Sequence, residues 1–370
     1  MVVFSVLVLL FAGISVGAGV YVQHPKFGLP PEGDRLAIVE KSPNYANGEF
    51  RNLIATPMFA DGHSFASVVA SSLLSRPERL KPSAPLPSVK TDLKTLNAGQ
   101  DTVIWLGHSS FFVQLGGKRI LIDPVFSPAA APVPYSTRAF DGTNRYTADD
   151  MPEIDYLLIT HDHWDHLDYA TVTALAPKVK KVVTGLGVGA NIEHWGYAKE
   201  KIHEADWFAR LEQDDGFSIQ LVPARHYSGR LLTKNKTLWT GFVLEHAGRR
   251  LLFSGDTGYG SHIAEIGRKF SGFHLVALDM GQYDERWPYL HMTPEEAAQA
   301  AVELQAKALL PAHVGRFSIA RHPWEEPFQR IAAASEDKPY RLLTPRIGEP
   351  ITIDNQEQRF DPWWKGVETF

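Results

Sequence analysis

Residues 155–168 read DYLLITHDHWDHLD: an apolar run ends at Thr160, and His161, His163, Asp165 and His166 follow at once. On a turn just past a strand end, such side chains can converge on one point. Imidazoles and carboxylates are ligands that zinc accepts. One ion could take His161 and His163, and a second Asp165 and His166. Neither pair completes a tetrahedral site, so the fold has to supply ligands from elsewhere. Three candidates stand in similar settings. His226 follows the apolar run 219–222 through Pro-Ala-Arg, Asp256 follows 251–254 within LLFSGDTGY, and His313 follows 308–311. Histidines 24, 63, 194, 203, 246, 262, 274 and 322 lack this setting and read as surface or satisfied core residues. His108, in WLGHSS, reads as a structural residue or a support for a ligand. Asp123, before Pro124, reads as the partner of a ligating histidine or as a turn residue.

The chain has 370 residues, with 44% apolar and 21% charged side chains, a composition that builds a packed core in one to three domains. The formal charge is 37 − 42 = −5. That balance, with no basic stretch, argues against a nucleic-acid partner. There is no cysteine, which excludes disulfides, thiol nucleophiles, thiolate zinc sites and iron–sulfur clusters. It leaves the compartment open.

Three regions follow one another. From Met1 to Gln23 no side chain is charged, and the apolar run of 22 residues would span about 33 Å as a helix, enough for a bilayer core. A membrane anchor is the preferred reading. The alternatives are a signal peptide cut near Gly17-Ala18 and a buried helix. The anchor places the catalytic body at a membrane, and both the anchor and the signal peptide place it outside the cytoplasm. Residues 24–100 are rich in Pro and Gly and read as an extended arm wrapping the body, with a short helix at 64–74. Residues 101–370 read as the catalytic domain. Strands are expected at 102–106, 111–115, 119–122, 156–160, 181–184, 219–222, 238–245 and 250–254, with a Gly116-Gly117 hairpin. Helices are expected at 188–195 and, from the capping box Thr293-Pro294-Glu295-Glu296, to about 307. Strands followed by helices in two blocks point to an α/β sandwich, sheet on sheet with helices outside. The glycines around 185–191 lack the spacing of a nucleotide-binding loop.

THDHWDHLD, with His226, GDTGY and His313 downstream, resembles the metallo-β-lactamase superfamily. The resemblance implies a four-layer αββα sandwich with two metals at one sheet edge. It implies that His161, His163 and His226 bind the first metal, that Asp165, His166 and His313 bind the second, and that Asp256 bridges them. Two-zinc β-lactamases commonly carry Cys where this chain has Asp256, which counts against lactam hydrolysis. Di-iron redox members carry Glu where His163 stands, so the cluster reads as hydrolytic and zinc-type, although Mn²⁺ or Fe²⁺ suit the same ligands.

A narrower resemblance spans about residues 46–345. GEFRN, WLGHSSFFVQLGGKRILIDPVFS, LITHDHWDHLDY, NKTLWTGFVL, the long run from GDTGY to MTPEEA and AHVGRF are similar to the N-acylphosphatidylethanolamine-hydrolysing phospholipase D family. This implies cleavage of a phospholipid at the ethanolamine-side P–O bond, with Asp165 and Asp256 in catalysis and His291 contacting the phosphate or acyl-amide region. A surface position at the start of a helix is the plain alternative for His291. Tyr283, Arg286 and Trp287 could line the headgroup entrance or simply pack. Other readings are a lactonase, a small-molecule phosphodiesterase or a non-catalytic metal-binding envelope protein. A homodimer is compatible with the sequence.

Overall fold

Along the strand Thr102–Gly107 every side chain is buried, and the side chains divide by parity. Val103 and Trp105 join a core that also holds Phe242, Leu244, Leu251 and Phe253, whereas Ile104 and Leu106 join Val172, Leu175, Val188 and Ile192. Period-two alternation with both faces apolar is what a strand needs when another sheet covers one face and helices the other. In this computed structural model the described residues are all except 1, 75–76, 214, 231–232 and 368–370, and except the side chains of 2–3, 5–10, 12, 14 and 72–73.

Two seven-stranded sheets result. The first has the spatial order Pro350–Thr352, Thr102–Gly107, Ser110–Leu115, Lys118–Ile122, Ile154–Ile159, Val179–Gly185 and Ile202–Ala205. The second has the order Arg341–Leu342, Ala308–Ala312, Leu275–Asp279, Arg249–Phe253, Gly241–His246, Ser218–Val222 and Arg210–Glu212. Both are mixed, with the parallel pairs on one side and the antiparallel pairs on the other. Helices Tyr169–Leu175 and Gly189–His194 contribute to the outer core of the first sheet. Helices Ser261–Phe270, Pro294–Glu303 and Glu326–Ala334 contribute to that of the second. This is the α/β metallo-β-lactamase architecture.

The Gly116-Gly117 hairpin forms with both residues at positive φ, 57° and 73°, as a two-residue loop between paired Leu115 and Lys118 requires. Three expectations need correction. The strand expected at 238–245 starts only at Gly241, because Leu238 and Thr240 give their N–H groups to Leu186 O and Thr160 O across the sandwich. The helix expected to reach about 307 ends at Glu303. Gln305 takes φ 52°, and Lys307 N–H turns away to Phe273 O. At the N-terminus a helix runs from Val2 to Val22, but most side chains of its first half lie outside the described residues. Among the described residues no helix is long and apolar enough to cross a membrane, so the expected span is not carried by them.

Residues 24–100 carry the helices Gly33–Val39 and Phe65–Leu74 and touch the body repeatedly. Phe50 N–H reaches Asn235 O at 2.8 Å, Leu86 N–H reaches Asp141 O at 2.8 Å and Val89 N–H reaches Ile347 O at 2.8 Å.

Candidate metal centre

The pairing pattern decides where the chemistry sits. Within the first sheet, Thr102–Gly107, Lys118–Ile122 and Ile154–Ile159 run in one direction, and His108, Asp123 and His161–His166 follow their C-terminal ends. Within the second, Ser218–Val222, Arg249–Phe253, Leu275–Asp279 and Ala308–Ala312 share a direction, and His226, Asp256, Asp279 and His313 lie at or beyond their ends. The two edges meet: His108 N–H bonds Val314 O at 3.2 Å and His313 N–H bonds His108 O at 3.1 Å. His108, Asp123 and His313 all take positive φ, 55°, 41° and 62°. Non-glycine residues held there mark a backbone bent to aim a side chain.

Two groups form. His161, His163, His226 and Asp256 offer ligand atoms within 4.8 Å of one another, and so do His108, Asp165, His166 and His313. In the first group His161 Nε2 lies 2.9 Å from His163 Nδ1, which lies 3.3 Å from His226 Nε2. A tetrahedral ion with bonds of about 2.0–2.1 Å needs donors about 3.3 Å apart, so three nitrogens at this spacing suit one. In the second group His313 Nε2 and His166 Nε2 lie 3.2 and 3.5 Å from Asp165 Oδ2. Asp256 stands between the groups. Its Oδ1 is 3.1 Å from His166 Nε2, and its Oδ2 is 3.2 Å from His313 Nε2, 3.7 Å from His226 Nε2 and 3.8 Å from His161 Nε2. His166 Nε2 and Asp256 Oδ1 are buried without a hydrogen-bond partner. Two orphaned polar atoms 3.1 Å apart in a buried centre fit a shared cation.

Three of the imidazoles are held from behind, as metal-binding histidines usually are. His166 Nδ1 bonds Asp123 Oδ2 at 2.8 Å, His226 Nδ1 bonds Leu290 O at 3.1 Å, and His161 Nδ1 meets Thr160 Oγ1 at 3.0 Å. Asp123 therefore serves a candidate ligand and shapes the turn, since it also accepts Thr160 N–H at 2.8 Å. His108 Nε2 donates to Asp165 Oδ2 at 2.8 Å. Burial and the neighbouring His313 charge hold His108 down to about 3, so it is a neutral donor. Burial also holds His161, His163 and His226 below their usual range, leaving neutral nitrogens of the kind a metal takes. Burial opposes charge on His166 too, but Asp256, Asp165 and Asp123 overcome it and hold that group well above its ordinary value.

His291 Nδ1 bonds Asp279 Oδ2 at 2.8 Å, and its ring stacks on His313 with centroids 4.8 Å apart. His163 and His291 are partly exposed while the other members are buried, so the centre opens on their side, beside the partly exposed Tyr227. All seven candidate ligands read from the sequence are brought together, with His291 at their rim. Tyr283, Arg286 and Trp287 are engaged in packing. Tyr283 bonds Glu326, Arg286 pairs with Asp284 and bonds Ser71 Oγ, and Trp287 bonds Gln282 O.

Two supporting residues escaped the sequence reading. Fully buried Asp279 ends an apolar strand in VALDMG, which is the same signal as at Thr160, and it contacts both His291 and His313. Asn52, from the arm, brackets the backbone of His226, accepting its N–H at 3.0 Å and donating to its O at 2.7 Å. No local pattern could have signalled a contact across 174 residues.

Fold and site together define a metal-dependent hydrolase of the metallo-β-lactamase architecture. A family profile described as "Beta-lactamase superfamily domain" matches residues 118–314, and the chain belongs to that family. A Mycobacterium tuberculosis protein is 34% identical over 362 residues, 95% of this chain and 96% of its own length. N-acyl-phosphatidylethanolamine-hydrolyzing phospholipase D 1 of Caenorhabditis elegans is 30% identical over 268 residues, 66% of this chain and 74% of its own. The crystal structure of isothiocyanate hydrolase from Delia radicum gut bacteria shares the fold, with a TM-score of 0.56 at 19% identity over 68% of this chain and 98% of that one.

Proposed function

We propose that this chain is a two-metal phosphodiesterase that cleaves the ethanolamine-side P–O bond of N-acylphosphatidylethanolamine, giving phosphatidic acid and an N-acylethanolamine. The observation that carries the reading is the position of Asp256, one carboxylate facing His161 and His226 on one side and His166 and His313 on the other. In this reading His161, His163 and His226 hold one zinc, Asp165, His166 and His313 hold the other, and Asp256 is common to both. Two such ions, when bound, supply an activated water near neutral pH and neutralise the charge of a phosphodiester.

The chain's own residues do the rest. His108 fixes the Asp165 carboxylate, which is then placed to accept a hydrogen bond from the attacking water. Asp279 fixes His291 at the open rim, and no hydrogen bond among the described residues engages its Nε2, so it is free to meet the phosphate or acyl-amide group. The lipid substrate is supported by the similarity to the C. elegans phospholipase. In this reading the charge-free N-terminal segment associates with a bilayer and keeps the enzyme beside it, outside the cytoplasm.

The test uses the full chain loaded with zinc and presented with N-acylphosphatidylethanolamine in mixed micelles. Phosphatidic acid is followed by mass spectrometry, with His163→Ala as control. Metal-dependent phosphatidic acid absent from the control is expected. No phosphatidic acid from protein that holds both metals would contradict this substrate and leave a lactone or a small soluble phosphodiester in its place.

A further inference from the structure

Residues 128–138 form a loop between the strands Lys118–Ile122 and Ile154–Ile159. The loop has a defined shape: Ala130 N–H bonds Thr137 O at 3.0 Å and Ser136 N–H bonds Val133 O at 3.2 Å. Its tip nevertheless turns apolar side chains to water, with Tyr135 86% and Val133 48% exposed. Neighbouring apolar side chains shown to solvent on a built loop suit an interaction surface.

What lies on either side tells what the surface fits. On one flank Tyr21 Oη and Lys26 Nζ both donate to Pro132 O, at 2.5 and 2.9 Å. These bonds bind the loop to the foot of the apolar helix Val2–Val22, whose Val16 and Val20 are themselves exposed. On the other flank lies a cleft of about 630 Å³, walled by Lys81, Arg138 and Arg145 and by a single acid, Asp141. All three cations are exposed, and none forms an ion pair among the described residues. Three positive charges and one negative give a local +2 in a chain whose net charge is −5. An aromatic, apolar tip between an apolar helix and unpaired cations is the composition of a segment that seats in a bilayer interface, ring and branched chains among the headgroups and cations on the phosphates.

We propose that the loop 128–138 and the cationic cleft beside it dock on a bilayer carrying anionic phospholipid. The inference deepens the reading of this chain as a lipid hydrolase and rests on it. Docking there has a consequence for the centre. A second, mostly apolar cleft of about 240 Å³ lies between the loop and Trp164, the residue between His163 and Asp165. A seated loop brings the metal-binding turn against the lipid surface.

The absence of cysteine allows a clean test. Tyr135→Cys in the full chain carries one environment-sensitive fluorophore. Lys180→Cys, at a side chain 64% exposed near the start of Val179–Gly185, is the reference. Each protein is reconstituted into phosphatidylcholine vesicles with and without phosphatidylglycerol, and bound zinc verifies folding. The label at 135 is expected to shift to the blue and be quenched several-fold more strongly than that at 180 by a lipid-borne quencher. The difference should grow with phosphatidylglycerol and fall to its neutral-vesicle level in Arg138→Glu/Arg145→Glu. A label at 135 that reports water in vesicle-bound protein, or a response indifferent to lipid charge, overturns the proposal. The readout needs no turnover. A docked loop without phosphatidic acid would count against the enzyme reading alone, and phosphatidic acid from an undocked loop against this inference alone.

Discussion

Asp123 shows how much one buried side chain settles. Its two oxygens accept Thr160 N–H, Thr160 Oγ1–H at 2.5 Å and His166 Nδ1–H, so it fixes both the turn that starts the histidine cluster and the ring of the candidate ligand His166. Removing such a support usually costs about 10–100-fold in metal affinity. Asp123→Ala should therefore weaken the zinc-binding step that uses His166 by about that factor and, because the same carboxylate holds Thr160 behind His161, weaken the other step less, as isothermal titration would record; two unchanged steps would remove Asp123 as a support of the centre. His262 makes a prediction about pH. Burial lowers it to about 4, and its Nε2 sits 2.9 Å from Thr257 Oγ1. A histidine depressed in the fold contributes fully above its unfolded value near 6.5 and loses that contribution as pH falls toward 4. The loss amounts to about 3 kcal/mol at most. His262→Gln should flatten the fall in stability between pH 6.5 and 4, measured by denaturant unfolding; an unchanged slope would remove His262 as its source.

At the scale of elements, the turns after the strands carry the function, and their backbones are tightly constrained. Gly255 precedes Asp256 at φ 61°, where a Cβ would lie 2.8 Å from Thr240 O and 2.9 Å from Thr160 Cβ. Gly255→Ala should push the two sheet edges apart at the centre and cost about 2 kcal/mol or more, with loss of the Asp256-dependent metal, read by thermal unfolding and zinc content. The turn that carries the candidate ligands is also strapped from behind. Buried Arg230 donates to Asp162 O and Leu167 O, both at 2.8 Å, and to Lys26 O at 2.7 Å, with Trp164 against its guanidinium at 3.9 Å. Arg230→Met should lower stability by about 2–4 kcal/mol and speed zinc loss to a chelator. Stability loss with unchanged zinc release would mean the strap does not reach the metals. These long-range clamps were the illegible part. The strand-end histidines announce themselves because a strand's apolar run and the ligands after it are contiguous. Asn52, Arg230 and the three-residue strand Pro350–Thr352 act through partners distant in the chain, and no local period marks them.

For the whole molecule, two sheets with continuous apolar strands were readable because both faces of each strand are covered, which leaves β-branched runs bounded by turns. Their order was not, since a parallel neighbour is chosen by a crossover rather than by a hairpin. If the proposed centre holds its metals, it staples the two sheets together at one edge. Stripping metal should lower the midpoint of thermal unfolding and make it depend on zinc concentration, because a ligand that binds only the folded state adds to its stability. The most direct test of the account is the anomalous difference map of zinc-loaded crystals at the zinc edge. Two peaks are expected, one among His161, His163 and His226 and one among Asp165, His166 and His313, with Asp256 touching both. A single peak, or a pair that leaves Asp256 unengaged, would contradict it.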